Sequence, residues 1–135
     1  MNGRSLLINT LRVNAVFSML SGLDLILFDK TIAQILSGND IGSFFPIGMM
    51  LIGFSVFVFV VSTLSAVNKY LVSAIIAMDI LWVVGSIFII AFGFATFTTI
   101  GIVLIGAVAA IIALFAYLQT KGLRIHLKKE SAGAN

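Results

Sequence analysis

The hydrophobic positions of this chain fall into four long blocks separated by short polar stretches, and each block is long enough to cross a bilayer as a helix. The blocks cover about residues 6–28, 44–67, 70–92 and 97–118, and a polar tail follows over 119–135. A backbone amide left unpaired in hydrocarbon costs several kcal/mol, so a lone spanning segment must bond within itself as a helix. The expected fold is therefore all-α: one membrane domain over 1–135, a transmembrane four-helix bundle in up-down order.

The connections are read from their turn residues. After the first block come Asp29 and Lys30, an amphipathic run over 31–36, and Ser37-Gly38-Asn39-Asp40; this is the longest loop, with room for an interfacial helical turn. Pro46 suits the first turn of the second helix, where its missing N–H would have had no partner. Asn68-Lys69 reads as a short turn into the third span, and residues 93–96 as a tight turn into the fourth. The chain is expected to leave the membrane at Gln119 and to fray past Glu130.

Helical spacing assigns a face to each polar or small residue. In the first span Asn14, Ser18, Ser21 and Gly22 share one face, while Arg12 lies opposite with Val16, Met19 and Leu23 and is placed to snorkel toward headgroups. In the second, Gly48, Ser55, Ser62 and Ala66 form a small-residue stripe; in the fourth, Thr99, Gly106, Ala110, Ala113 and Tyr117 do. Such stripes seat neighbouring helices within a chain, and a homodimer through them is the alternative.

The third span carries the feature around which the others are organised. It is apolar except for Asp79, Trp82 and Ser86, and at about 1.5 Å per residue Asp79 lies roughly 14 Å past Tyr70 in a hydrocarbon core roughly 30 Å thick. A carboxylate at that depth must be protonated, paired, or turned to a polar cavity. Val72, Ile75, Asp79, Trp82, Val83 and Ser86 fall on one face, and Asn14, Ser18 and Ser21 reach similar depths on a helix running the same way. These six polar residues, Asn14, Ser18, Ser21, Asp79, Trp82 and Ser86, are the candidate binding site, with the Trp82 indole N–H needing a partner inside the bundle. The plainer reading is that Asp79 bonds to Asn14 and the serines and fixes helix register. An Arg12–Asp79 ion pair would require the arginine to reach up from the wrong face.

Composition narrows the chemistry. Of 135 residues, 61% are hydrophobic and 10% charged, with a mean hydropathy of +1.21, far from the roughly one quarter charged of globular chains. Absence of cysteine excludes disulfides and thiolate metal sites, and His126 stands alone in the tail, so no metal or cofactor is expected. The polar interruptions of the first block, with no small-residue cleavage pattern after it, argue against a signal peptide. The pI near 9.6 does not point to nucleic acid, because the bases sit at the ends of apolar runs. Of the 8 Lys and Arg, all but Lys30 flank one side, which places both termini in the cytoplasm; Tyr70 and Tyr117 fall at that same interface. There is no phosphate loop, no Ser/His/Asp set, no paired carboxylates and no intramembrane lysine, so no catalytic residue is assigned and an enzyme is not expected.

Three stretches, 12–22 (RVNAVFSMLSG), 79–86 (DILWVVGS) and 115–123 (FAYLQTKGL), resemble a group of small uncharacterised bacterial four-helix membrane proteins that more distantly look like DoxX-type proteins. The resemblance implies the fold and a bacterial inner (plasma) membrane, and no activity. The functional expectation is a non-enzymatic binder of a lipophilic molecule with a polar head, such as a quinone, isoprenoid or lipid, in a pocket at Asp79. Its rivals are a small proton-coupled transporter acting as a dimer, with Asp79 as coupling acid, and a structural or assembly protein.

Overall fold

A computed structural model describes residues 2–38, 43–93 and 96–133. It contains α1 (Gly3–Leu27), α2 (Asp29–Ser37), α3 (Phe45–Ser62), α4 (Lys69–Gly93) and α5 (Thr99–Gly133). The fold is all-α, and α1, α3, α4 and α5 are each long and apolar enough to cross a membrane, which makes this a multi-pass membrane protein. Their caps are legible in the residues. Asn2 accepts the Ser5 N–H at 2.7 Å to start α1, Pro46 lies in the first turn of α3, and Asn68 accepts the N–H groups of Tyr70 and Leu71 to start α4. Gly38, at φ 71°, takes the left-handed conformation that closes α2.

The loop expected to hold one helical turn instead holds the whole of α2, which buries Ala33 and Ser37 and docks on the start of α5. There the Thr98 hydroxyl donates to the Ile35 carbonyl at 2.7 Å, and the Thr98 N–H donates to that of Leu36. The start of α3 is tied to the start of α2 by Asp29, whose carboxylate accepts from the Ser43 hydroxyl and the Phe44 N–H, both at 2.6 Å. Those two donors, the hydroxyl first, hold the Asp29 carboxyl below its usual value.

The spanning helices alternate in direction. α1 packs against α3 and α5, α5 also packs against α4, and α3 and α4 barely touch. The cores of all four meet toward the terminus-bearing end, where Leu7, Leu11 and Ala15 of α1 enclose a cluster with Val58, Val61, Val72, Ile75 and Leu123. Beyond it α4 is poorly covered: Leu81, Ile87, Phe88 and Phe92 are all exposed, as lipid-facing residues should be. Two crossings depend on glycine. A Cβ on Gly22 would lie 2.8 Å from the Gly48 carbonyl oxygen and the reverse holds equally, so α1 and α3 meet backbone to backbone. Gly3 and Gly122 make the same reciprocal contact between α1 and α5, which puts both termini at one end of the bundle.

Three expectations need correction. The second span ends at Ser62, not near 67, because the Ser62 and Thr63 hydroxyls turn back onto the Phe59 and Val60 carbonyls and Asn68 then starts a new helix; Ala66 therefore belongs to no packing stripe. The described part of the tail does not fray at Glu130, although its residues from Lys128 on are exposed. It continues α5 to Gly133 and buries Gly122 and Leu123 against α1. The small-residue stripe of the fourth span faces outward: Ala110, Ala113 and Tyr117 are exposed, and the buried face is Gly101, Ala109, Ile112, Phe115, Ala116 and Gln119. Residue size alone misassigned that face; what turns α5 is the need to bury Gln119 and to bring two glycines against neighbouring backbone. Residues 39–40 of the turn expected over 37–40, and 94–95 of that expected over 93–96, lie outside the described residues.

Candidate functional site

Where α1, α4 and α5 come together, three side chains close a hydrogen-bonded ring. The Asn14 amide nitrogen donates to Asp79 Oδ2 and to Gln119 Oε1, each at 2.9 Å, and the Gln119 amide nitrogen donates to the same Asp79 Oδ2 at 2.8 Å. All three are buried, with 1%, 3% and 0% of their surfaces exposed for Asn14, Asp79 and Gln119. Ser18, one turn along α1, donates to Asn14 Oδ1 at 3.2 Å and fixes which way the amide points. One carboxylate oxygen thus gathers donors from two neighbouring helices, and its position in α4 sets the register of all three.

The electrostatics of the ring are unusual in that no base takes part. Among the described residues no Lys or Arg pairs with Asp79, and the nearest approach of a basic to an acidic side chain is His126 to Glu130, 3.3 Å apart on the last turns of α5. Arg12 is exposed and lines a cleft with Ser62 and Thr63, so its side chain runs toward the terminus-bearing end, as snorkelling requires, and away from Asp79. Neutral amide donors alone support the buried carboxyl, and both bond to Oδ2. Oδ1 accepts no hydrogen bond from any described residue.

The other candidates divide. Ser86 is buried on the Asp79 face but donates to the Trp82 carbonyl at 2.8 Å, within its own helix. Trp82 is half-buried one turn beyond Asp79, and its indole N–H finds no acceptor among the described residues. Ser21 is half-buried and bonds to nothing in the ring. Asn14, Ser18 and Asp79 are brought together; Ser21, Trp82 and Ser86 flank them. Two open concavities lie elsewhere, one of about 430 Å³ at the start of α1 and one of about 830 Å³ along the end of α5, and neither is lined by Asp79 or Trp82.

Gln119, expected at the membrane exit, instead belongs to the ring. It sits three, four and seven positions from Ala116, Phe115 and Ile112, and Gly122 and Leu123 continue the same face; the periodicity ran past the polar residue that ended the span. An uncharged amide inside an unbroken apolar stripe was the available clue. The chain matches no protein family model, and neither the curated proteins nor the solved structures contain a match to it.

Proposed function

We propose that this is a non-enzymatic protein of the bacterial inner membrane, with both termini in the cytoplasm, that binds the polar head of a lipophilic molecule at Asp79. One observation carries the reading: the carboxyl is held through one oxygen only, while Oδ1 and, a turn further along α4, the Trp82 indole N–H have no partner among the described residues. An acceptor and a donor left over at membrane depth suit a head that can both give and take a hydrogen bond. The hydroxyl of an isoprenoid alcohol, a reduced quinone or a lipid has that capacity. Neither of the two concavities described above is lined by these groups, so access falls to the side where α3 and α4 scarcely pack and the bilayer itself is the neighbour. Asp79→Asn is the discriminating variant, because the single carbonyl oxygen of asparagine can accept both amide bonds that Oδ2 now accepts. The variant keeps the ring and replaces Oδ1 with a donor. Mass spectrometry of apolar molecules that co-purify with the wild type, Asp79→Asn and Trp82→Phe should show one species enriched on the wild type and depleted on both variants. The same complement on all three would sink the proposal.

A second reading has its own support. Oδ2 joins α1 and α5 to α4, which is what a purely structural lock requires, and such a ring needs no ligand. It expects Asp79→Leu to lower stability while no co-purifying molecule depends on Asp79.

A further inference from the structure

At the terminus-bearing end, a cleft of about 430 Å³ opens between the start of α1 and the segment that follows α3. Arg4 and Arg12 both line it, with Ser5 and Asn9 between them on α1 and Thr63 and Ser65 across from them. No acidic residue lines this cleft, and among the described residues neither arginine has a carboxylate partner. Arg4 uses one nitrogen to donate to the Ser65 carbonyl at 3.1 Å, which holds its guanidinium at the cleft wall with other donors to spare. Arg12 bonds to no described residue, and the Ser5 hydroxyl and Asn9 amide are similarly uncommitted. Two planar forks and two neutral donors around one concavity make a site for an anion with several oxygens, and a guanidinium fits phosphate oxygens two at a time.

The surface leading away from the cleft narrows the choice of anion. From Arg12, successive turns of α1 expose Val16, Leu20 and Leu23, an apolar lane that runs from the cationic end into the membrane. A free anion gains nothing from that lane, whereas an acyl chain does. We infer that the cleft binds the phosphate of an anionic phospholipid between Arg4 and Arg12, with an acyl chain lying along Val16, Leu20 and Leu23. The site is separate from the Asp79 ring and needs none of its residues.

The full-length protein in mild detergent, titrated with phosphatidylglycerol or phosphatidylcholine of identical chains and read by native mass spectrometry, tests this. Phosphatidylglycerol should bind in preference. At about a factor of five for each base removed near a headgroup, Arg12→Gln should weaken it about fivefold and Arg4→Gln with Arg12→Gln about 25-fold. Lys128→Gln with Lys129→Gln, which removes equal charge from the end of α5, should change it less than twofold. The proposal is overturned if the arginine pair binds phosphatidylglycerol like the wild type, or if the lysine pair loses as much as the arginine pair. It is also overturned if inorganic phosphate binds the wild type as tightly as phosphatidylglycerol does, since the acyl lane would then add nothing and the cleft would serve a free phosphate. Because Arg4→Gln also releases Ser65, Arg12→Gln, which has no protein bond to lose, keeps the test valid should the double variant fold poorly.

Discussion

Replacing Gln119 with leucine tests whether the buried ring holds the bundle together. Gln119 is fully buried and takes part in two hydrogen bonds, one given to Asp79 Oδ2 at 2.8 Å and one received from Asn14 at 2.9 Å. Leucine fills similar space with no polar atom, so the change removes both bonds and leaves one Asn14 N–H and half of the Asp79 coordination unmet. Interhelical hydrogen bonds in membrane bundles average about 0.6 kcal/mol, which sets a floor near 1 kcal/mol for the two. A buried group stripped of its partner costs ~1–3 kcal/mol, which raises the expected loss to about 2 kcal/mol, or roughly 30-fold in the folding equilibrium. Asp79→Asn should cost less than about 0.5 kcal/mol, since one carbonyl oxygen can accept both amides, and Asp79→Leu should cost about as much as Gln119→Leu. Because the two side chains share a bond, combining Asp79→Leu with Gln119→Leu should cost less than the sum by more than ~0.5 kcal/mol. Reversible unfolding in mixed micelles, followed by the fluorescence of Trp82, the single tryptophan, measures all four variants. A neutral Gln119→Leu, or an Asp79→Asn as damaging as Asp79→Leu, would refute the account of the ring.

Other expectations follow from the packing and the connections. Gly48→Ala should destabilise by ~1–3 kcal/mol in the same assay, because its Cβ would meet the Gly22 carbonyl at 2.8 Å, whereas Gly53→Ala, with open space around it, should be neutral or stabilising by up to ~1 kcal/mol. Deleting residues 123–135 should lower the unfolding midpoint, with Leu123 alone contributing ~1.5–3 kcal/mol of burial; a free tail would leave it unchanged. The Asp29 carboxyl titrates below its ordinary value, so its bonds to Ser43 and Phe44 are intact above about pH 4 and are lost as pH falls through the lowered value. Hydrogen exchange at the Phe44 amide should accelerate over that acid range in the wild type and show no such step in Asp29→Asn.

How much of this the sequence announced depended on whether a residue's own neighbours decide its place. Block length and apolar continuity are local properties, so the four spanning helices were legible, and so was the inward face of α4, where one carboxyl outweighs everything around it. The Asn14–Asp79 contact followed from matching depths on helices that run the same way. Gln119 was missed because a lone amide beside Lys121 looks like the end of a span; only the crossing of α5 over α1 makes it interior. The α5 stripe failed for a related reason: alanine is small enough to face either a helix or lipid, so its position carries little directional information until a residue that cannot face lipid fixes the rotation. The end of α3 carries local signals of its own, since the Ser62-Thr63 pair is a stop signal and the asparagine six residues after Ser62 a start signal.

The near absence of packing between α3 and α4 has a consequence for biogenesis. What joins the first half of the chain, α1 with α3, to the second, α4 with α5, is mainly the packing of α1 on α5 and the two amide bonds that Asn14 gives across to Asp79 and Gln119. Until α4 and α5 are in place the Asn14 amide has neither of the acceptors it meets in the finished bundle, whereas Asp79 and Gln119 bond to each other within the later half. The two halves are thus unequal: the earlier one needs the later to satisfy its buried amide, and the later one needs only part of its own ring completed.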